Sequence, residues 1–255
     1  MPETTAAVVF DVGNVLVQWD PRHLLRKLYK SEAEAQWVFE NVVNLDWIFH
    51  LDKGRPLSEL VEERAAEFPD HAPAIRAYET RFLETIPGPV DGTAELVEEL
   101  AARHVPLYAI TNFGIETWTA FRPTQPVLDH FRDIVVSGHE LIAKPDPAIF
   151  HLAERRFGHP ADAMLFIDDN AHNIEAARAL GWQVHHFIDA PMLAADLLVV
   201  RAATARRGIT LGVRAGYRLA PNRPDWRYRG EAASGGPVDQ AKGPIVRLTL
   251  GVGGR

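Results

Sequence analysis

The chain has 255 residues, 28.4 kDa and 47% hydrophobic content, enough for one large domain or two smaller ones with a real core, which excludes disorder throughout. It holds no cysteine, which excludes a disulfide framework, a thiolate metal site and a cysteine nucleophile. Residues 1–200 carry 16 Lys and Arg against 31 Asp and Glu, net −15, and the remainder carries 11 against 3, net +8. The acidic body argues against a nucleic-acid surface, while the basic tail leaves that question open for itself.

No apolar run reaches the roughly 18 residues needed to span a bilayer, and Met1-Pro2-Glu3 opens on an acid, not on a basic leader. A cytoplasmic protein with no membrane partner is expected.

The first predicted element is a strand, Ala6 to Phe10, a short continuous apolar run that closes on Asp11 and Gly13. From Pro21 to Ile86 there is no convincing strand, only helical stretches such as 33–43, 57–68 and 74–83, so residues 21–86 are expected to form an inserted helical cap. Lys53-Gly54-Arg55-Pro56 looks like the turn before one of these helices. Further apolar runs at 105–110, 134–136, 164–167 and 184–187 alternate with helical patterns at 93–103, 147–157 and 171–180. Strands alternating with helices of this length indicate parallel βαβ units, hence an α/β fold with a Rossmann-like parallel sheet. Residues 1–20 and 87–207 make up this core, with a last helix from Pro191 to about Arg207.

Residues 208–255 show no sustained period and are expected to be a poorly ordered, Gly- and Arg-rich extension, with Ile245 to Leu250 as a weak strand candidate. Two readings stand for this tail: a partner- or nucleic-acid-binding arm, or a stretch with no selected function. Truncation near Gly208 is expected to leave a folded, active protein.

Four polar clusters follow predicted strands: Asp11-Val12-Gly13, Thr111-Asn112, Lys144-Pro145 and Asp168-Asp169-Asn170. A parallel sheet brings such positions to one edge. A carboxylate nucleophile, groups to hold transferred oxygens, a cation and an acid pair suited to a divalent metal would converge there, which fits displacement through an aspartyl-enzyme intermediate.

The order and spacing of Val8-Val9-Phe10-Asp11-Val12-Gly13-Asn14-Val15-Leu16, Ala109-Ile110-Thr111-Asn112, Lys144-Pro145-Asp146-Pro147 and Phe166-Ile167-Asp168-Asp169-Asn170 resemble the haloacid dehalogenase superfamily of hydrolases. The resemblance covers about residues 6–190. It implies that Asp11 is the nucleophile, that Thr111 and Asn112 hold the transferred group, and that Lys144 offsets charge between Asp11 and substrate. It also implies Mg²⁺ bound by Asp11, the Gly13 carbonyl, Asp168 and Asp169, and a small phosphorylated metabolite, such as a sugar phosphate, as substrate. Asn14, Trp19 and Phe113 are further candidate substrate contacts, with Trp47 and Arg122 behind them. Asn173 is a candidate for orienting the last loop, and His185 and His186 are expected to pack or face solvent.

The sequence departs from the commonest family pattern two residues after the nucleophile, where most phosphatases carry a second Asp as general acid and this chain has Gly13. A glycine cannot protonate a leaving group, and loss of a positioned acid costs about 10²–10⁴-fold. The same departure raises a rival, 2-haloacid dehalogenase, which needs no such acid. The phosphatase is preferred because Asp168 and Asp169 would repel Asp11 without a cation between them. A third reading is a ligand-binding protein with weakened catalysis. No pattern speaks to oligomeric state.

Overall fold

The computed structural model describes residues 5–204, with side chains through residue 197. Five parallel strands form one sheet: β1 Ala7–Phe10, β2 Leu107–Thr111, β3 Asp133–Val136, β4 Met164–Asp168 and β5 Gln183–His186, in the order β3-β2-β1-β4-β5. All five apolar runs read as strands are strands, and the fold is the expected Rossmann-like α/β sheet. β1, wholly buried and paired on both sides, is the centre. Strand order reverses between β1 and β4, which opens a crevice at their carboxyl ends.

The insert after β1 is made of helices: α1 Pro21–Leu28, α2 Glu32–Asn41, α3 Leu45–Asp52, α4 Leu57–Glu67, α5 Ala72–Thr80, and two short 3-10 helices, Pro69–His71 and Phe82–Thr85. Local chemistry accounts for their starts. Asp20, Ser31 and Asn44 each accept a backbone N–H of the following first turn, and Pro21 stands at the first helical position. The chain enters and leaves this insert side by side. Gln18 N donates to Gly88 O at 2.9 Å, Asp20 N to Thr85 O at 2.8 Å and Val90 N to Leu16 O at 3.0 Å.

The turn between α3 and α4 approaches the core closely. Gly54 has φ +84°, and a Cβ there would lie 2.6 Å from the Gly138 carbonyl oxygen and run into Leu141. Only glycine satisfies both the left-handed backbone and the contact.

The remaining helices are α6 Thr93–Ala102, α7 Ile115–Phe121, α8 Ser137–Glu140, α9 Pro147–Phe157, α10 Ala171–Ala179 and α11 Ala190–Thr204. α9 starts on an Asp146 cap with Pro147 behind it. The core on the α9–α10 side joins Val9, Ile110, Phe150, Phe166, Ile174 and Trp182. Phe150, Phe166 and Trp182 meet edge to face, with centroids 5.4–6.1 Å apart. Burying each ring contributes roughly 1.5–3 kcal/mol, so this cluster holds the sheet edge above it in place. The sheet, the insert and the site belong to one compact unit, Met1–Ala194. Among the described residues no helix is long and apolar enough to cross a membrane. The expectations for 208–255, including the strand at Ile245–Leu250, lie outside the described residues.

Candidate active site

The register of β1, β2 and β4 sets Asp11, Thr111 and Asp168 on one edge of the sheet. Asp11 directly follows β1, and its N–H extends the pairing to the Ile167 carbonyl at 2.8 Å. The residue is 8% exposed; Oδ1 accepts from Val12 N at 2.7 Å and faces Lys144 Nζ at 2.9 Å. Oδ2 has no hydrogen bond among the described residues, which leaves it as the unengaged oxygen.

Lys144, on the loop between α8 and α9, is 1% exposed and sits between two acids, with Nζ 2.7 Å from Asp168 Oδ2. Burial pulls its ammonium down, but the ion pairs with Asp11 and Asp168 outweigh it and hold it above the ordinary lysine value. Asn112 sets this lysine in place: its Oδ1 accepts from Lys144 N at 2.8 Å and its Nδ2 donates to Lys144 O at 2.9 Å. The amide read from sequence as a substrate ligand is therefore largely engaged in positioning Lys144, with one N–H left over. Thr111, 1% exposed, lines the cavity beside it.

Asp168 is fully buried and organised on every side. Oδ1 accepts from Asn170 N at 2.8 Å, and Asn173 Nδ2 reaches both oxygens at 3.1 and 3.0 Å. Asn173 is thus an orienting residue. Asn170 caps α10 by accepting from His172 N at 2.9 Å, which relieves Asp169 of that duty. The Asn14 side chain favours the charged form of Asp169, and the Asp169 carbonyl accepts from His186 Nε2 at 2.9 Å. Asn14 holds φ 55°, a backbone state asparagine tolerates, and its Oδ1 also accepts from Trp19 N at 3.0 Å.

Electrostatically the site has a surplus of acids. Burial first, then the nearby Asp168 and Asp169, push Asp11 up to about 7 against the pull of Lys144. Burial and Asp168 likewise raise Asp169. Oxygens of Asp11, Asp168 and Asp169 lie within 4.8 Å of one another, and one lysine cannot neutralise three carboxylates. Three hard oxygen donors at this separation, with a surplus negative charge, fit a divalent cation such as Mg²⁺.

These groups form the floor of a cavity of about 250 Å³ whose opposite wall comes from the insert: Leu45, Ile48 and Phe49 of α3, Tyr78 of α5, and Phe82 and Ile86 after it. Gly13, Asn14, Trp19 and Phe113 also line it. Trp47 and Arg122 do not line it, which corrects their reading as pocket residues. Trp47 packs inside the insert against Tyr78, with Nε1 donating to Leu60 O at 3.3 Å, and Arg122 pairs with Asp129 at the surface.

The apolar residues of the insert wall escaped the sequence reading, and so did one charged residue. Asp52 ends α3 inside the cavity, the single charged group that the insert contributes to its wall. Burial pushes its carboxyl up to about 7, with Lys144 pulling the other way. The available signal was an acid in the last turn of a helix, where the dipole disfavours it.

A model of haloacid dehalogenase-like hydrolases matches residues 5–181. The chain belongs to that family. Among curated relatives of this hydrolase, sesquiterpene phosphatase astK of Aspergillus oryzae is 26% identical over 198 residues, 74% of this chain and 93% of that one. A phosphoglycolate phosphatase of Nitrosospira multiformis is 30% identical over 199 residues, covering 72% and 83%. An (S)-2-haloacid dehalogenase of Pseudomonas putida is 32% identical over 97 residues, 38% of this chain and 42% of its own. Drimenol cyclase drtB of Aspergillus calidoustus is longer: the match, 24% identical, covers 80% of this chain and 38% of that one. A family enzyme from Bacteroides thetaiotaomicron, solved with magnesium and inorganic phosphate, shares the fold at TM-score 0.57 and 21% identity, over 72% of this chain and 94% of that one.

Proposed function

We propose that this hydrolase is a Mg²⁺-dependent phosphatase of small phosphoric monoesters acting through an aspartyl phosphate on Asp11. The observation that carries the reading is the acid surplus: three carboxylates converge around one lysine, which suits a divalent cation and a phosphoryl group. Asp11, Asp168, Asp169 and the Gly13 carbonyl would hold the ion, with Asp168 kept in place by Asn173 and Lys144. Bound Mg²⁺ supplies positive charge that favours the ionised Asp11 and stabilises the phosphoryl oxygens.

The chain's own groups do the rest. Lys144 and Val12 N hold Oδ1, so the carboxylate is oriented and Oδ2 is the oxygen that bonds to phosphorus as the P–O bond to the alcohol breaks. Water then attacks phosphorus, releasing inorganic phosphate and restoring the Asp11 carboxylate. Lys144 offsets the charge that develops on the phosphoryl group, with Thr111 and the spare Asn112 N–H beside it. The insert wall sharpens the substrate class. Leu45, Ile48, Phe49, Phe82 and Ile86 favour a monoester whose organic body has an apolar face over a bare polyol such as a sugar phosphate.

Gly13 favours a second reading, 2-haloacid dehalogenation, in which the same Asp11 attacks carbon and halide leaves without a proton. A paired assay separates the two: phosphate release from 4-nitrophenyl phosphate and halide release from a 2-haloacid, each with Mg²⁺ and with EDTA. Phosphate release that EDTA abolishes is the expected result. Halide release that survives EDTA, with no phosphate, overturns the phosphatase reading, and absence of both products favours a ligand-binding protein.

A further inference from the structure

We propose that Asp52, carried into the cavity by the end of α3, protonates the leaving-group oxygen, the task that Gly13 cannot perform. The inference rests on the phosphatase reading and deepens it. Three observations support it. First, Asp52 comes from the insert and lines the same cavity as Asp11 and Lys144, so it faces the space that a substrate bound at Asp11 would fill. Second, its carboxyl makes no hydrogen bond or ion pair among the described residues, although most of it is out of solvent. An acid so placed, at the carbonyl end of a helix and among Leu51, Ile48 and Tyr78, costs stability and gains no partner in return. Third, Lys144 of the α8–α9 loop and Tyr78 of α5 line the same cavity as Asp52; Lys144 favours its charged form, and its charge in turn adds to burial in raising Tyr78.

Its proton affinity suits the task. Burial raises Asp52 to about 7, so near neutral pH it is half protonated and both halves of the cycle are open to it. As Asp11 Oδ2 bonds to phosphorus, the P–O bond to the alcohol breaks, its electron pair stays on the alcohol oxygen, and the Asp52 proton moves there. In the second half the Asp52 carboxylate takes a proton from the water that attacks phosphorus, and Asp11 departs as carboxylate. Ester and water become alcohol and phosphate, and Asp52 ends as it began.

The test is leaving-group dependence. For Asp52→Asn, kcat/KM for benzyl phosphate, whose alcohol is a poor leaving group, should fall about 10²–10⁴-fold. For 4-nitrophenyl phosphate, which leaves without help, the loss should stay below about 10-fold. A second variant guards against misfolding. A side chain at Gly13 meets nothing within 4 Å, so Gly13→Asp in the Asp52→Asn background places a new acid beside Asp11 and should recover at least 10-fold of the benzyl phosphate rate.

Equal losses with both substrates, or no loss, overturn the inference while leaving the phosphatase standing. Unsubstituted enzyme that hydrolyses 4-nitrophenyl phosphate but not benzyl phosphate overturns it as well. If the unsubstituted enzyme releases phosphate from neither, the phosphatase reading fails and takes the inference with it.

Discussion

The two walls of the cavity are built on different principles. The sheet edge is polar and cross-braced: Asp168 alone is held by Asn170 N, Asn173 and Lys144, and Lys144 by Asn112. The insert wall is mostly apolar, packed through Trp47, Tyr78 and Phe82, and its single charged group makes no hydrogen bond or ion pair among the described residues. Rigid bracing suits groups that must meet a phosphoryl centre at fixed distances. A lone acid in an apolar wall suits a group whose value lies in a raised proton affinity.

Substitutions that break the first wall should have the largest effects. Asp11→Asn removes the proposed nucleophile, and phosphate release should drop by about 10⁴–10⁶-fold, as single-turnover assays would show; activity near that of the parent would remove Asp11 from its role. Asn173→Ala leaves Asp168 without its orienting amide. The Mg²⁺ concentration for half-maximal activity should rise about 10–100-fold, read from a metal titration, while the fold persists by circular dichroism.

The second wall should respond to pH. With Asp52 required in its protonated form and raised to about 7, turnover of an alcohol phosphate should decline above neutrality, approaching about tenfold per pH unit. That alkaline decline should be absent for 4-nitrophenyl phosphate and disappear in Asp52→Asn. The smallest effect is on stability. A carboxyl raised in the folded state binds its proton more tightly there than in the unfolded chain. Its contribution is full below about pH 4 and is lost as pH rises through about 7. Asp52→Asn cannot ionise, so at pH 8 the metal-free variant should be more stable than its parent by about 1–3 kcal/mol, allowing for partial exposure, and at pH 4 the two should melt together.

Legibility followed the same division. Asp11, Thr111 and Asp168 could be read because each ends a buried apolar run, and parallel pairing makes the ends of such runs neighbours whatever the tertiary details. Lys144 was legible as a cation a few residues beyond its strand, with its role taken from the family resemblance; its place between two acids depends on the α8–α9 loop. The insert wall was opaque because its residues sit at helical spacing within an ordinary apolar pattern. Nothing in the sequence tells Trp19, which lines the cavity, from Trp47, which packs beneath it. Asn112 shows the limit of motif reading: its type was read correctly, but its amide turns mainly to the Lys144 backbone.

The Gly54 contact has a further consequence. Two residues beyond Asp52, this turn rests against the Gly138 carbonyl with no room for a methyl group. If Asp52 is the proton donor, its reach toward the reacting oxygen is thereby limited from outside the cavity, by how closely this turn packs on Leu141 and the Gly138 carbonyl. On the proposed mechanism, an alanine there should displace the turn and shift activity toward activated esters, although every chemical group remained in place. Breadth of diet, in such a design, is set by a spacer.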